Sequence, residues 1–201
     1  GIPLTNSIRE ALPNANVGQK NLWFWIDEMD ELAYRSQLKS GAIEKFKDAF
    51  VRQGYVVTIV RATERGYSKL PKSNPVLIST SAAEVNGEIA LLMQHSLNRL
   101  SDSDATSVPT RSMAWRYIVW GGKYSSRETN GNVAVSSSSG YAPYSLAFIA
   151  SEYQCFENAV GCAYSLGLID ETAQAGTMLH EVGHTFGLGH GGPKKIGRAH
   201  V

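Results

Sequence analysis

Three histidines and one glutamate share an eleven-residue stretch near the C-terminal end, His180-Glu181-Val182-Gly183-His184-Thr185-Phe186-Gly187-Leu188-Gly189-His190. On a helix, residues four apart lie on one face a single turn from each other, so His180 and His184 can aim an imidazole nitrogen at one point. That spacing suits a metal ion. Glu181, beside the first histidine, can lean over the ion without ligating it and reach a metal-bound water as general base. Gly187 supplies the turn that a third ligand needs, because glycine past a helix end adopts the left-handed conformation that reverses the chain towards His190. Three neutral imidazoles with an open fourth position describe a catalytic zinc site, whereas structural zinc sites usually close the shell with cysteines. One Zn2+ ion is the expected cofactor. Hydrolysis of a peptide bond by water made acidic near neutrality is the chemistry that follows.

These residues resemble the metzincin metallopeptidases, whose motif His-Glu-x-x-His-x-x-Gly-x-x-His is matched at every defined position. The resemblance implies that His180, His184 and His190 hold zinc and that Glu181 is the general base of a zinc endopeptidase acting on extended polypeptide. It also implies a protein exported from the cell. Two other readings share the histidines: a non-catalytic zinc-binding or interaction domain, and a metallohydrolase acting on another substrate such as a cell-wall peptide. Glu181 argues against the first, since a purely structural site has no use for an unligated carboxylate. Gly191 matches none of the residues that mark particular metzincin subfamilies.

One family feature is missing: metzincins place a methionine turn beneath the metal after the third histidine, but Met29, Met93, Met113 and Met178 all precede His190. Ile196 to Val201 also matches one translated frame of a common sequencing-adapter oligonucleotide. A reading frame truncated by adapter read-through is therefore expected, with 193–201 a suspect tail, His200 no ligand, and the C-terminal subdomain largely missing. The alternatives are an inactive fragment of such an enzyme and a domain that departs from the family at the base of its site.

The elements that position the motif follow from periodicity. Residues 1–20 are an irregular lead-in, and 21–192 form the catalytic domain. Leu22 to Ile26 reads as a buried first strand, and a backing helix spans about 31–53, interrupted at Ser40-Gly41 and closed by Gly54. Tyr55 to Val60 is a second strand, 64–80 a loop, and 82–100 an amphipathic helix with His95 facing solvent. Met113 to Trp120, Asn132 to Ser136 and Tyr144 to Ala150 complete a twisted, mixed five-stranded sheet of an α/β (α+β) fold. The zinc-site helix runs from about Glu171 to Phe186, with Asp170 as N-cap and Ala175, Leu179, Val182 and Phe186 as its core stripe. The order resembles the N-terminal subdomain of a metzincin. By that resemblance Gly131, Asn132, Val133, Ala134 and Val135 form an edge strand over the cleft, pairing with substrate by strand addition.

The bulk numbers exclude some partners. A net charge of +1, from 19 basic and 18 acidic residues, builds no field for nucleic acid or anionic membranes. No apolar run is long enough to span a bilayer. Cys155 and Cys162 would form a small-loop disulfide in an exported protein, as the resemblance favours, and stay free in a reducing compartment. The run Ser136 to Ser139 with Gly140 reads as a flexible loop, because no histidine and acid pair accompanies it to make a nucleophile.

Overall fold

A computed structural model describes residues 12–16, 18–30, 32, 34–71, 76–78, 114–127, 133–135, 139–142, 145–152, 168 and 170–190. The expected helix at 82–100 with His95, the two cysteines, Gly131, Asn132 and the tail beyond His190 lie outside these residues.

The first strand, β1 (Lys20–Glu28), is the run of apolar and aromatic side chains read from the sequence, and it occupies the interior of a sheet. β2 (Tyr55–Arg61) flanks it on one side and β4 (Trp115–Gly121) on the other, both parallel. Then come β8 (Leu146–Ala150), parallel to β4, and β7 (Gly140–Tyr141), antiparallel to β8. The order is β2-β1-β4-β8-β7, a five-stranded, mostly parallel sheet in a mixed α/β fold. Strands covered on both faces need unbroken apolar sequence rather than alternation, and every residue of Leu146–Ala150 is buried.

A second, three-stranded sheet has the order β3-β5-β6, from β3 (Val76–Ile78), β5 (Tyr124–Arg127) and β6 (Val133–Val135). The strand expected at 132–136 therefore exists, but it pairs antiparallel with β5 instead of joining the main sheet. The fifth strand of the main sheet is β7. Three residues of β3 sit where a loop was expected, and nothing in so short a segment gives a period to read.

Helix α1 (Ser40–Val51) is shorter than its predicted span: the chain before it forms a 3-10 turn at Tyr34–Ser36. Its start is fixed from outside. The backbone N–H of Lys39, the N-cap residue, donates to Oε1 of Gln174 at 2.9 Å. Gly41 leaves the space that the Glu171 carboxylate fills. A negative group at a helix N-terminus is favourable because the aligned peptide dipoles leave partial positive charge there. Ala42, Ile43 and Phe46 form the buried face, with Phe46 edge-on to Phe24 at 5.0 Å between ring centroids. Such a pair adds about 0.5–1.5 kcal/mol beyond its burial.

Helix α2 (Glu171–Thr185) packs on α1 and on β8. Asp170 caps it as expected, its carboxylate accepting from the N–H groups of Thr172 and Ala173, both at 2.9 Å. The buried face differs from the predicted stripe. Ala175 and Val182 are buried, but so are Gln174, Met178 and Glu181, while Leu179 is half-buried and Phe186 is 40% exposed. The helix meets α1 and three strands of the main sheet, β4, β7 and β8, so its buried arc is wider than one apolar stripe.

Candidate metal centre

The C-terminal end of α2 is built from the turn that the sequence supplies. Gly187 adopts φ +81°, its N–H donates to the carbonyl of His184 at 2.9 Å, and the N–H of Leu188 donates to the carbonyl of Gly183 at 3.1 Å. This is the paired hydrogen-bond closure of a Schellman motif, with glycine at the left-handed position. Leu188 folds back over Gly183, where an added Cβ would lie 3.5 Å from its Cδ1. The chain is thereby reversed and His190 returns to the helix face.

The result is a triangle of ring nitrogens. The Nε2 atoms of His180 and His184 are 3.2 Å apart, those of His184 and His190 3.1 Å, and those of His180 and His190 3.2 Å. Imidazole nitrogens at about 2.0–2.1 Å from a tetrahedral metal ion are about 3.3–3.4 Å from one another. The observed triangle fits that spacing, so His180, His184 and His190 can hold a metal ion.

Orientation of the rings is also set. Nδ1 of His184 lies 2.6 Å from the carbonyl oxygen of Leu188, which can only accept, so Nδ1 carries the proton and Nε2 offers its lone pair. Burial, and secondarily the charges His184 and His190 would carry, lower the pKa of His180 from its usual 6.5. A neutral, ligating imidazole is favoured. The site also lies at the end of the helix where unpaired carbonyls leave partial negative charge, which favours a cation.

Glu181 stands inside the protein beside this triangle. It is 3% exposed, and its Oε1 is 4.0 Å from Nε2 of His180, farther than two ligands of one tetrahedral ion would be. Burial raises its pKa from 4.5, against a hydrogen bond from Ser139 and the charge of His184. The Ser139 hydroxyl donates to Oε1 at 3.2 Å. Next to it, Gly140 brings the edge strand so close that an added Cβ would lie 2.6 Å from Cδ of Glu181.

Phe186, the C-cap residue of α2, is held from the sheet side. The Arg116 guanidinium lies over its ring at 4.9 Å, and Phe50 of α1 approaches it at 6.5 Å between centroids. Burial lowers the Arg116 pKa from its ordinary value, yet a guanidinium remains charged throughout the working range.

All four motif residues expected at the metal come together, as does the turn at Gly187. Val133 to Val135 belong to an outer strand, but of the small sheet; the strand that reaches Glu181 is β7. Sequence reasoning passed over Ser139 and Gly140, read as part of a flexible serine loop, and over Gln174, which is not in the expected core stripe. Only the proximity of a glycine to the end of the serine run hinted at a close approach. No family model, no curated protein and no solved structure matches the chain.

Proposed function

We propose that this chain is a zinc-dependent endopeptidase, with zinc held by His180, His184 and His190 and with Glu181 as its general base. The observation that carries the reading is the pairing of a metal-sized Nε2 triangle with a buried carboxylate held just outside ligand distance. A structural metal site has no need of that carboxylate. The match to the metzincin motif at residues 180–190 supports peptide as the substrate class.

When bound, zinc supplies Lewis acidity and makes a water acidic enough to deprotonate near neutral pH. The residues of the chain do the remainder. Imidazoles suit zinc, copper, iron or nickel, and the neutral donor set leaves the ion its positive charge. Glu181 accepts the proton of the attacking water and returns it to the departing amine. A burial-raised pKa brings a carboxylate nearer the operating range of such a relay. We place the extended substrate along the outer side of β7 rather than along 131–135, because β7 is the strand in contact with α2 beside Glu181. Backbone pairing there requires no particular side-chain sequence in the substrate.

The test is zinc loading of the chain followed by digestion of an unfolded protein substrate, with chelator and Glu181→Ala controls. Hydrolysis that needs both zinc and Glu181 supports the reading. Stoichiometric zinc binding with no hydrolysis of protein or of peptidoglycan fragments favours the non-catalytic alternative.

A further inference from the structure

We propose that Ser139 is a positioning residue for the base: its hydroxyl fixes which way the Glu181 carboxylate points relative to the three histidines. The proposal rests on the peptidase reading for its meaning, and its test needs zinc binding but not turnover.

Three observations carry it. Ser139 donates to Oε1 of Glu181 at 3.2 Å, and the same oxygen lies 4.0 Å from Nε2 of His180. The carboxylate oxygen nearest the metal ligands is thus the one the serine holds. The serine is itself anchored: its carbonyl accepts the N–H of Ala150 at 2.8 Å, extending the ladder between β7 and β8. A hydroxyl on an anchored backbone holds its partner more tightly than one on a free loop would. Gly140 then closes the other side. A side chain there would collide with the carbonyl of Phe148 and with Glu181, so the missing Cβ lets the edge strand lie against the glutamate.

A glutamate has three side-chain torsions, and burial alone does not select one arrangement of its carboxylate. Contact with Gly140 restricts the stem, and the hydrogen bond from Ser139 selects the orientation of the oxygens. Glu181 leaves the helix towards the strand while its neighbour His180 leaves it towards the solvent-facing site. The serine therefore acts on the site through the glutamate and makes no contact of its own with the triangle.

The test is a double-mutant cycle with Ser139→Ala, Glu181→Gln and the combination, read by the affinity of acetohydroxamate for the zinc-loaded protein. This small chelator presents N–H and O–H groups to a neighbouring carboxylate, so its binding reports on Glu181 without turnover. The expected result is roughly tenfold weaker binding in Ser139→Ala, little further change on adding Ser139→Ala to Glu181→Gln, and recovery in Ser139→Thr. Zinc affinity should stay unchanged in every variant. An equal loss from Ser139→Ala in both backgrounds, or wild-type affinity in Ser139→Ala, overturns the proposal. Failure of the wild-type chain to take up zinc overturns this proposal and the peptidase reading together. Zinc uptake and intact coupling without proteolysis overturn the peptidase reading alone.

Discussion

Nδ1 of His184 and the carbonyl oxygen of Leu188 are 2.6 Å apart, so the residue that closes the helix also sets the tautomer of a metal ligand. The turn at Gly187 joins the two. Its φ of +81° is costly for any residue with a Cβ, and no neighbouring atom would obstruct a side chain there. Gly187→Val should consequently act through the backbone alone. Loss of an orienting partner typically weakens a metal site by about 10–100-fold, and that fall in zinc affinity is expected in competition with a chromogenic chelator. Gly187→Asn should be milder, since asparagine tolerates the left-handed region.

Removing the proposed base, Glu181, would separate binding from chemistry. Glu181→Ala should lower peptide hydrolysis by about 100- to 10,000-fold while zinc content, measured by elemental analysis, stays near one per chain. Zinc lost along with activity would mean that the carboxylate supports the site rather than the reaction.

Glu181 also carries a stability signature. Its folded-state pKa is raised above 4.5 mainly by burial, so its contribution is most favourable in acid and is lost as pH rises through the raised value. At neutral pH the ionised side chain is a cost. Metal-free Glu181→Gln should melt a few degrees above wild type at pH 8, at roughly 2–4 °C per kcal/mol, with the difference closing below pH 4.5.

His180 works in the opposite direction. Its pKa is lowered from 6.5 by burial, so the unfolded chain binds the proton more readily than the folded one. Stability of the metal-free protein should fall as pH drops through 6.5 towards the depressed folded value. Melting curves between pH 8 and 5 should display that slope, and His180→Asn should flatten it.

Gln174 offers the sharpest test of the scaffold. Fully buried, its amide accepts from the Lys39 N–H and donates to the carbonyls of Gln37 at 2.9 Å and Leu168 at 3.0 Å. Gln174→Leu would leave the Leu168 carbonyl unpaired in the interior, a loss of roughly 1–3 kcal/mol, while the partners on the exposed Lys39 and Gln37 turn to water. A drop in melting temperature of about 2–12 °C is expected for a chain of this size.

Much of this architecture was legible where one chemical reason dominates. Leu22 to Ile26 reads as a strand because its apolar run is unbroken, although Leu22 and Trp23 are half-buried, and Asp170 before an apolar period reads as a helix cap. The histidine spacing fixed its own geometry, since helical pitch and a glycine turn leave little freedom between His180 and His190. What could not be read are features made by partners distant in sequence. The start of α1 depends on Gln174 and Glu171, more than a hundred residues away, and no local pattern announces them. Ser139 looked like any serine in a polar run because its importance comes from Glu181, which only the edge of the sheet brings near. The assignment of 132–136 to the main sheet failed similarly: a three-residue strand carries no mark of the sheet it joins.

The separation between Gln174 and its partners, 137 residues to Gln37 and 135 to Lys39, has a bearing on the order of assembly. During synthesis the early loop emerges with its amide and carbonyl still waiting for water or a transient partner, and the helix that satisfies them is made more than a hundred residues later. Contacts of such high sequence separation form late, because closing a long loop costs entropy before any contact rewards it. His180 and His184 ride on that same helix, and His190 follows its closing turn. A chain that has not yet made this helix thus has no means of gathering them beside the sheet, and capture of an ion there would be a sign that the helix has docked.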